Sequence, residues 1–435
     1  MRTRDQGSIG PERAREFTWS NTVLGGRCLF LDERFGHAFS IRGGYTGFQN
    51  AAGTVGNPEQ QSSRWRLYLI LNQEQTLLGQ PVDFGGRVAV GRYEAAIDEQ
   101  FVGLEQFSAP QDLVRAHGSI AWAVNDRLTV TPSLAGQVTR STNRLTMDPR
   151  LRLSWLPDGT DQQEVSLAAG LYHQTDEGIS DERDAGTVFT VWRPPNEDDP
   201  IPQSLQAIVG YRQQLGPSLE VSVEGYAKRH RNLLVSKWTP EAALETETAR
   251  ANGITYGADA RVEARQGPFF AYLGYGWARV TYEAATDDLG AWIDGALFSY
   301  SPPHDRRHQL HTVVSYTWWD VTTSISWALG TGRPYTQVYG VDLAIDVPNQ
   351  LPPRQPGTAQ TIFQRPYDAR LPTYHRLDVS AERSFSLSDR TSLDAKLGVI
   401  NLYDRRNVFY YDVNTFQRVN QSPLLPYFSV QLRIE

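Results

Sequence analysis

The chain has one cysteine, Cys28, and two methionines among its 435 residues. One thiol cannot close an internal disulfide, and without a cysteine cluster there is no cysteine-based zinc site. Lysine and arginine runs of the kind that track a phosphate backbone are missing, and the net charge is −7. A nucleic-acid partner is therefore excluded. No window approaches roughly 18 consecutive apolar residues, which excludes a membrane protein built of helices but not one built of strands. Met1–Ser20 mixes Arg2, Arg4, Asp5, Glu12, Arg13 and Glu16 and lacks an apolar core, so it does not read as a secretory signal. The expectation is that the protein stays inside the cell or that its natural start lies elsewhere. No internal repeat of fixed period stands out, which counts against a propeller or solenoid.

What the chain does have is period-two alternation. Leu219, Val221, Val223, Gly225 and Ala227 oppose Glu220, Ser222, Glu224, Tyr226 and Lys228. Ala258, Ala260, Val262 and Ala264 oppose Asp259, Arg261, Glu263 and Arg265; Leu377, Val379 and Ala381 oppose Asp378, Ser380 and Glu382. Such runs predict strands with one apolar and one polar face. About 17 strands are predicted between Phe17 and Ile434, many of about ten residues or more, roughly twice the usual length. The 36 glycines, 25 prolines, 20 tyrosines and 11 tryptophans fit strands with wet ends better than long helices.

The connections carry a second pattern. Asn125-Asp126, Gly216-Pro217, Gln266-Gly267, Trp319-Asp320 and Leu387–Arg390 read as tight reversals. Between them lie long segments near 176–202, 238–250, 283–303, 333–372 and 404–423. In a meander every second connection lies on the same edge, so one edge has tight turns and the other long loops. Long two-faced strands with this asymmetry predict an all-β, antiparallel transmembrane barrel. The competing reading is a large soluble sheet with one face in water. Trp155, Trp192, Tyr272, Trp277, Trp318, Trp319 and Tyr403 near strand ends favour the barrel, because amphipathic rings settle at the headgroup level. The Val221/Val223 side should then face lipid and the Glu220/Glu224 side an enclosed channel. Open edges are costly in hydrocarbon, so the first strand near Phe17–Phe30 and the last near Leu424–Ile434 should be left unpaired or forced together.

From about Leu205 onward, short motifs follow one another: Glu224-Gly-Tyr-Ala-Lys228, Tyr256-Gly257, Asp305-Arg-Arg-His308, Gly332-Arg-Pro-Tyr-Thr336, Tyr374-His-Arg-Leu-Asp378 and Asn401-Leu-Tyr-Asp404. In this order, at strand or loop edges, they resemble the barrel of TonB-dependent outer-membrane receptors. The physical reading of each is structural: Gly332 and Pro334 bend the chain into a loop, and Arg376 and Asp378 share strand parity and should pair in the lumen. Relative to the resembled barrel of about 22 strands, this sequence reads as partial, with about five fewer strands and no plug domain or coupling segment. The expected organisation is a lead-in at 1–15, unstructured or truncated, and one barrel domain over 16–435. A degenerate plugless relative is the alternative.

Chemistry has few footholds. No Gly-x-Ser-x-Gly elbow occurs. His173, His304, His308 and His311 lie near loops or strand ends, but in a strand His308 and His311 point to opposite faces. The acidic stretches Asp176–Asp184 and Glu197–Asp199 read as solvated loops rather than metal sites. Phe298, Tyr300, Tyr335, Tyr339 and Tyr367 could stack on a ligand but read more readily as loop packing. The sequence thus assigns no catalytic, cofactor-binding or metal residue, and no enzyme activity. The resemblance implies energy-coupled uptake of a scarce ligand (an iron chelate, cobalamin, or a glycan or peptide fragment) across the outer membrane of a Gram-negative-type bacterium. Its partners would be outer-membrane lipid, the ligand and, in the intact receptor, a TonB-type coupling protein whose contact segment is not in this chain. A plugless porin-like channel and, behind it, a barrel enzyme stay open as alternatives.

Overall fold

The computed structural model describes residues 2–9, 15–32, 37–54, 57–99, 103–179, 189–195, 197, 199–238, 248–290, 295–344, 358–388, 390–411 and 418–434. Among the described residues, twenty-one segments form one antiparallel sheet. Gly103–Pro110, Leu113–Ile120 and Trp122–Asn125 share one lane of it, and Leu297–Tyr300 and His308–Trp318 share another. Eighteen wall positions result, each bonded to its neighbours in chain order. The sequence reading had about 17; the added strand is Arg2–Ile9, which pairs with Arg15–Thr22. The lead-in expected over 1–15 is therefore a strand over residues 2–9. Phe17–Phe30 is consequently not an edge, since its strand also pairs with His37–Thr54. Among the described residues the edge strands Arg2–Ile9 and Leu425–Ile434 do not pair with each other, so the ring is open.

The two edges of the sheet differ. On one, Leu77 and Gln80 are joined by Leu78-Gly79, and Trp318 and Val321 by Trp319-Asp320, with positive φ at both central residues of each turn. That geometry matches strand twist and gives two-residue hairpins. Gly216 and Gly267 serve the neighbouring turns. On the other edge, connections of tens of residues follow His173, Ala285 and Gly330. Parts of the expected loops (180–188, 239–247, 291–294, 345–357 and 412–417) lie outside the described residues, including the acidic stretch at 180–184.

The faces are set by register. Glu220, Ser222, Glu224 and Tyr226 point to the same side as Arg212, Asp259, Arg261 and Glu164, and most of these line one concave cavity of about 680 Å³ reaching from Arg152 to Ala328. The polar face is therefore the inside of the curve. Val223, Leu67, Leu69, Leu151, Val209 and Leu273 lie on the convex side, each about two-fifths to half exposed. A convex apolar wall and a concave polar one is what lipid outside and water inside require. Trp155, Trp318 and Trp319 stand exposed at the tight-turn edge, with Trp318 and Trp319 stacked at 5.1 Å. Trp192 and Tyr272, expected in the same belt, are not there. Trp192 is folded inward under Arg64, and Tyr272 faces the lumen beside His311.

One irregularity reverses a face. Register slips between His230 and Leu233, and Asn232 has φ +57. The one extra residue turns Leu233 and Val235 inward, onto Ala249, Ala251 and Ala284. A β-bulge thus converts a polar lumen into an apolar rim at the long-loop edge.

Candidate functional site

The loop-side mouth is built on three anchors that coincide with the sequence motifs. Asp305 is fully buried; its carboxylate accepts from the Val280 N–H at 3.0 Å, Arg307 at 2.9 Å and Arg370 at 2.6 Å. Burial alone would raise its pKa, but the two guanidinium groups and the amide bond outweigh that and hold it below the usual carboxylate range. One carboxylate thereby ties the loop after Ala285 to the one after Gly330. Gly332 meets Leu371 so closely that a Cβ would lie 1.5 Å from the Leu371 carbonyl oxygen. Pro334 and Tyr335 then pair with Arg370 and Ala369, and buried Thr336 accepts from the Tyr367 N–H at 3.1 Å. Buried Asn401, with φ +58, donates to the carbonyls of Arg405 and Ser422 and accepts from the Arg405 N–H, while its own N–H bonds Asp378 at 2.9 Å. Arg376 pairs with Asp378 at 2.8 Å, as their shared parity predicted. The motifs hold loop roots; none forms a reacting centre.

Above them lies an apolar cluster of Val235, Trp238, Leu289, Phe298, Tyr300 and Tyr367. Tyr300 stacks on both Phe298 and Tyr367, at 5.3 and 5.0 Å. Three of the five candidate loop aromatics are thus packing residues. Tyr335 stacks on Tyr411 at 5.4 Å, and Tyr339 is the exposed one.

A hairpin of Glu177–Ile179 and Val191–Arg193, from the connection after His173, folds into the lumen. Its Phe189 and Val191 pack on Ala52, Ala95 and Ile97. The Asp176 carboxylate accepts from Arg66 at 2.8 Å and Tyr93 at 2.7 Å, with Gln111 at 3.3 Å. Arg64 lies 4.1 Å over the Trp192 ring, and Asn50 donates to the Thr190 carbonyl. The sequence reading of Asp176 and Glu177 as solvated acid does not hold. Instead both dock, because the wall opposite supplies arginines and an apolar shelf. Burial pushes the Asp176 carboxyl up, but Arg66 and the bonds from Tyr93 and Gln111 hold it below the ordinary range. Glu177, 4% exposed and 3.8 Å from Arg193, has weaker compensation, and burial pushes it up to about 7. Asp199 pairs with Arg250 at 2.7 Å.

The inner wall below divides in two. From Leu145–Trp155 to Thr248–Gln266 charges alternate across five strands: Arg152–Glu164 at 3.4 Å, Glu164–Arg212 at 3.4 Å, Arg212–Glu220 at 3.9 Å, then Glu220–Arg261. From His37–Thr54 to Leu145–Trp155 the inward positions instead carry Arg64, Arg66, Arg87, Arg115 and Arg150, with Asp148 as the buried acid among the lower three. The histidines are separately engaged. His173 Nδ1 meets Asp148 at 2.8 Å, His304 the Tyr282 hydroxyl at 3.3 Å, His308 the Tyr275 hydroxyl at 2.8 Å, and His311 Ser326 at 3.2 Å. Among the described residues no group of three metal-type side chains comes together.

No protein-family model and no curated protein matches the chain. Solved structures do match. The outer membrane transporter YddB from Escherichia coli aligns with TM-score 0.63 at 10% identity over 99% of this chain and 66% of its own. The ferric yersiniabactin uptake receptor FyuA from Yersinia pestis aligns at 0.62 and 11%, over 98% and 63%. The copper transporter OprC aligns at 0.60 and 12%, over 100% and 69%. The chain thus spans about two thirds of the length of these proteins or slightly less. At such identities the likeness establishes the fold, a barrel wall of the outer-membrane receptor type.

Proposed function

We propose that this chain is the wall and mouth of an outer-membrane receptor or transporter that takes up a scarce ligand with energy supplied through a TonB-type partner. The observation that carries the reading is the two-sided sheet, apolar outward and polar inward, with every long connection on one edge. Such a sheet has no use for its convex face except against lipid. The structural neighbours are named for ferric chelates and copper, which puts iron chelates and copper first among ligands to try. The anchored loop roots and the inward hairpin supply a shaped entrance rather than a reacting centre. The second reading, a porin-like channel without energy coupling, is favoured by the charge-lined lumen.

Uptake measurements separate the two. The chain, joined to a receptor plug and coupling segment, is expressed in an outer membrane stripped of its own iron and copper receptors, and labelled ferric citrate, a ferric siderophore, copper and cobalamin are offered. Uptake of at least one, abolished when the coupling protein is deleted, is the expected result. Uptake that persists without the coupling protein, together with a steady open-pore conductance in planar bilayers, overturns it in favour of the channel.

A further inference from the structure

We propose that the cavity under Arg87, Arg115 and Arg150 is a binding site for a small multivalent oxyanion, an oligocarboxylate or a phosphate ester. It is about 640 Å³, within the range of small-molecule sites, and no aspartate or glutamate is among its lining residues. The proposal rests on the reading that the concave face encloses a lumen, and gives that lumen a ligand chemistry.

Four observations carry it. Arg87 and Arg115 are direct cross-strand partners in register, both pointing inward. Like charges facing each other across strands are unfavourable, and nothing in the wall offsets this pair fully. Arg87 is held by its ring neighbour rather than by an acid. Its guanidinium lies 5.4 Å over Tyr68 and its Nε is buried with no hydrogen-bond partner. Arg150 is similarly seated on Tyr172, at 4.3 Å, with its Nε unsatisfied. Aromatic platforms of this kind fix a guanidinium plane and leave its fork of donors free for a planar oxyanion.

The acids nearby are already committed: Asp83 meets His117 at 3.2 Å and Glu164 meets Arg152 at 3.4 Å. Asp148 sits behind the cavity surface, 3% exposed, with one oxygen bonded to the His173 N–H and ring. Its other oxygen is 3.5 Å from Arg150 and 4.0 Å from Arg115. That leaves positive charge in excess at the surface. Ser119 and Ser133 add neutral hydroxyls to the lining.

The protein itself also shows what this wall accepts. One strand position above Tyr68, Arg66 is occupied by a carboxylate, Asp176, carried in by the folded hairpin and met by Tyr93 and Gln111 as well. The lower arginines present the same donor chemistry without a tethered carboxylate. A diffusible anion with two or more oxyanion groups fits there, oriented by bidentate bonds.

The test uses the full chain folded in detergent micelles, with pyrophosphate and citrate titrated by calorimetry at low ionic strength and glycerol as the neutral control. Saturable binding of at least one anion is expected, weakened tenfold or more in the Arg87→Gln/Arg115→Gln double variant. The Arg87→Lys/Arg115→Lys variant keeps the charge but loses the fork, and should fall between. It also covers the case in which the glutamine variant fails to fold. Arg140→Gln, on an exposed loop root outside the cavity, should bind as the parent does. No saturable binding, equal binding by parent and both double variants, or capture of an oligoglutamate peptide but of neither small anion would each overturn the proposal. The readout involves no transport. A chain that fails the uptake test can still pass this one, and the reverse.

Discussion

The two stretches of inner wall are made of the same residue types and behave differently. Between Leu145–Trp155 and Thr248–Gln266, Arg152, Arg212 and Arg261 each have a glutamate one strand away, in the unbroken run Arg152, Glu164, Arg212, Glu220, Arg261. Such a ladder keeps charges hydrated and paired and asks for no further ligand. Between His37–Thr54 and Leu145–Trp155, arginine faces arginine, and the compensating acid is either buried behind the wall, as Asp148, or delivered from a loop, as Asp176. The difference separates a wall that is complete in itself from one that is completed by something brought to it.

The sharpest way to break the comparison is to remove Asp148. In Asp148→Asn, Arg115, Arg150 and His173 lose their shared acid, and a loss of about 3 kcal/mol in unfolding free energy is expected, as for breaking a buried ionic cluster. Urea unfolding followed by tryptophan fluorescence reads it. If the variant is as stable as the parent, the basic wall is not held by this acid.

The docked hairpin should respond to pH through Glu177. Its pKa in the folded protein, about 7, lies above the ordinary glutamate value near 4.5. The folded state therefore binds more protons between these values. The stabilising contribution is complete below about 4.5 and is lost as pH rises through 7. Asp176 stays ionised across that window, because its shift is downward. Protease protection of the segment after His173 should fall several-fold between about pH 5 and about pH 8, and Glu177→Gln should flatten the profile while keeping protection high. An unchanged slope in that variant would assign the pH response elsewhere.

In the balanced ladder, Glu220→Gln leaves Arg261 without its acid and Arg212 with Glu164 alone, and both arginines are part-exposed to the lumen. The expected loss is about 1 kcal/mol by urea unfolding. Arg115→Gln should go the other way. It relieves the Arg87–Arg115 opposition and is expected to leave stability unchanged or raise it by about 0.5 kcal/mol in anion-free buffer. A loss of stability as large as that of Asp148→Asn would mean that Arg115 serves chiefly as a structural partner of that acid and not as part of an anion site.

Much of this architecture is legible in the residues. Alternation at Leu219–Lys228 marks the two faces, and the spacing of Gly216-Pro217, Gln266-Gly267 and Trp319-Asp320 marks the tight edge, since hairpin turns carry strong local chemistry. The motif residues Asp305, Gly332 and Asn401 could be assigned to loop roots, though not to their partners. Three features had no local signal. Arg2–Ile9 is a strand only because Arg15–Thr22 offers it a ladder. Asn232 breaks the alternation of its own strand by a bulge that a polar run conceals. Trp192 and Asp176 lie in a long polar loop, and nothing in that loop says which wall it will fold against.

The division follows from the range of the forces involved. Strand parity and turn geometry are fixed by neighbours in the chain, so sequence alone determined that this protein is a sheet with a lipid-suited side, a wet side and one looped edge. Which inward residues face one another depends on register between strands tens of residues apart. The meeting of Arg87 with Arg115, of Asp148 with His173 and of Asp176 with Arg66 was therefore decided only when the sheet curved and the loop closed over it.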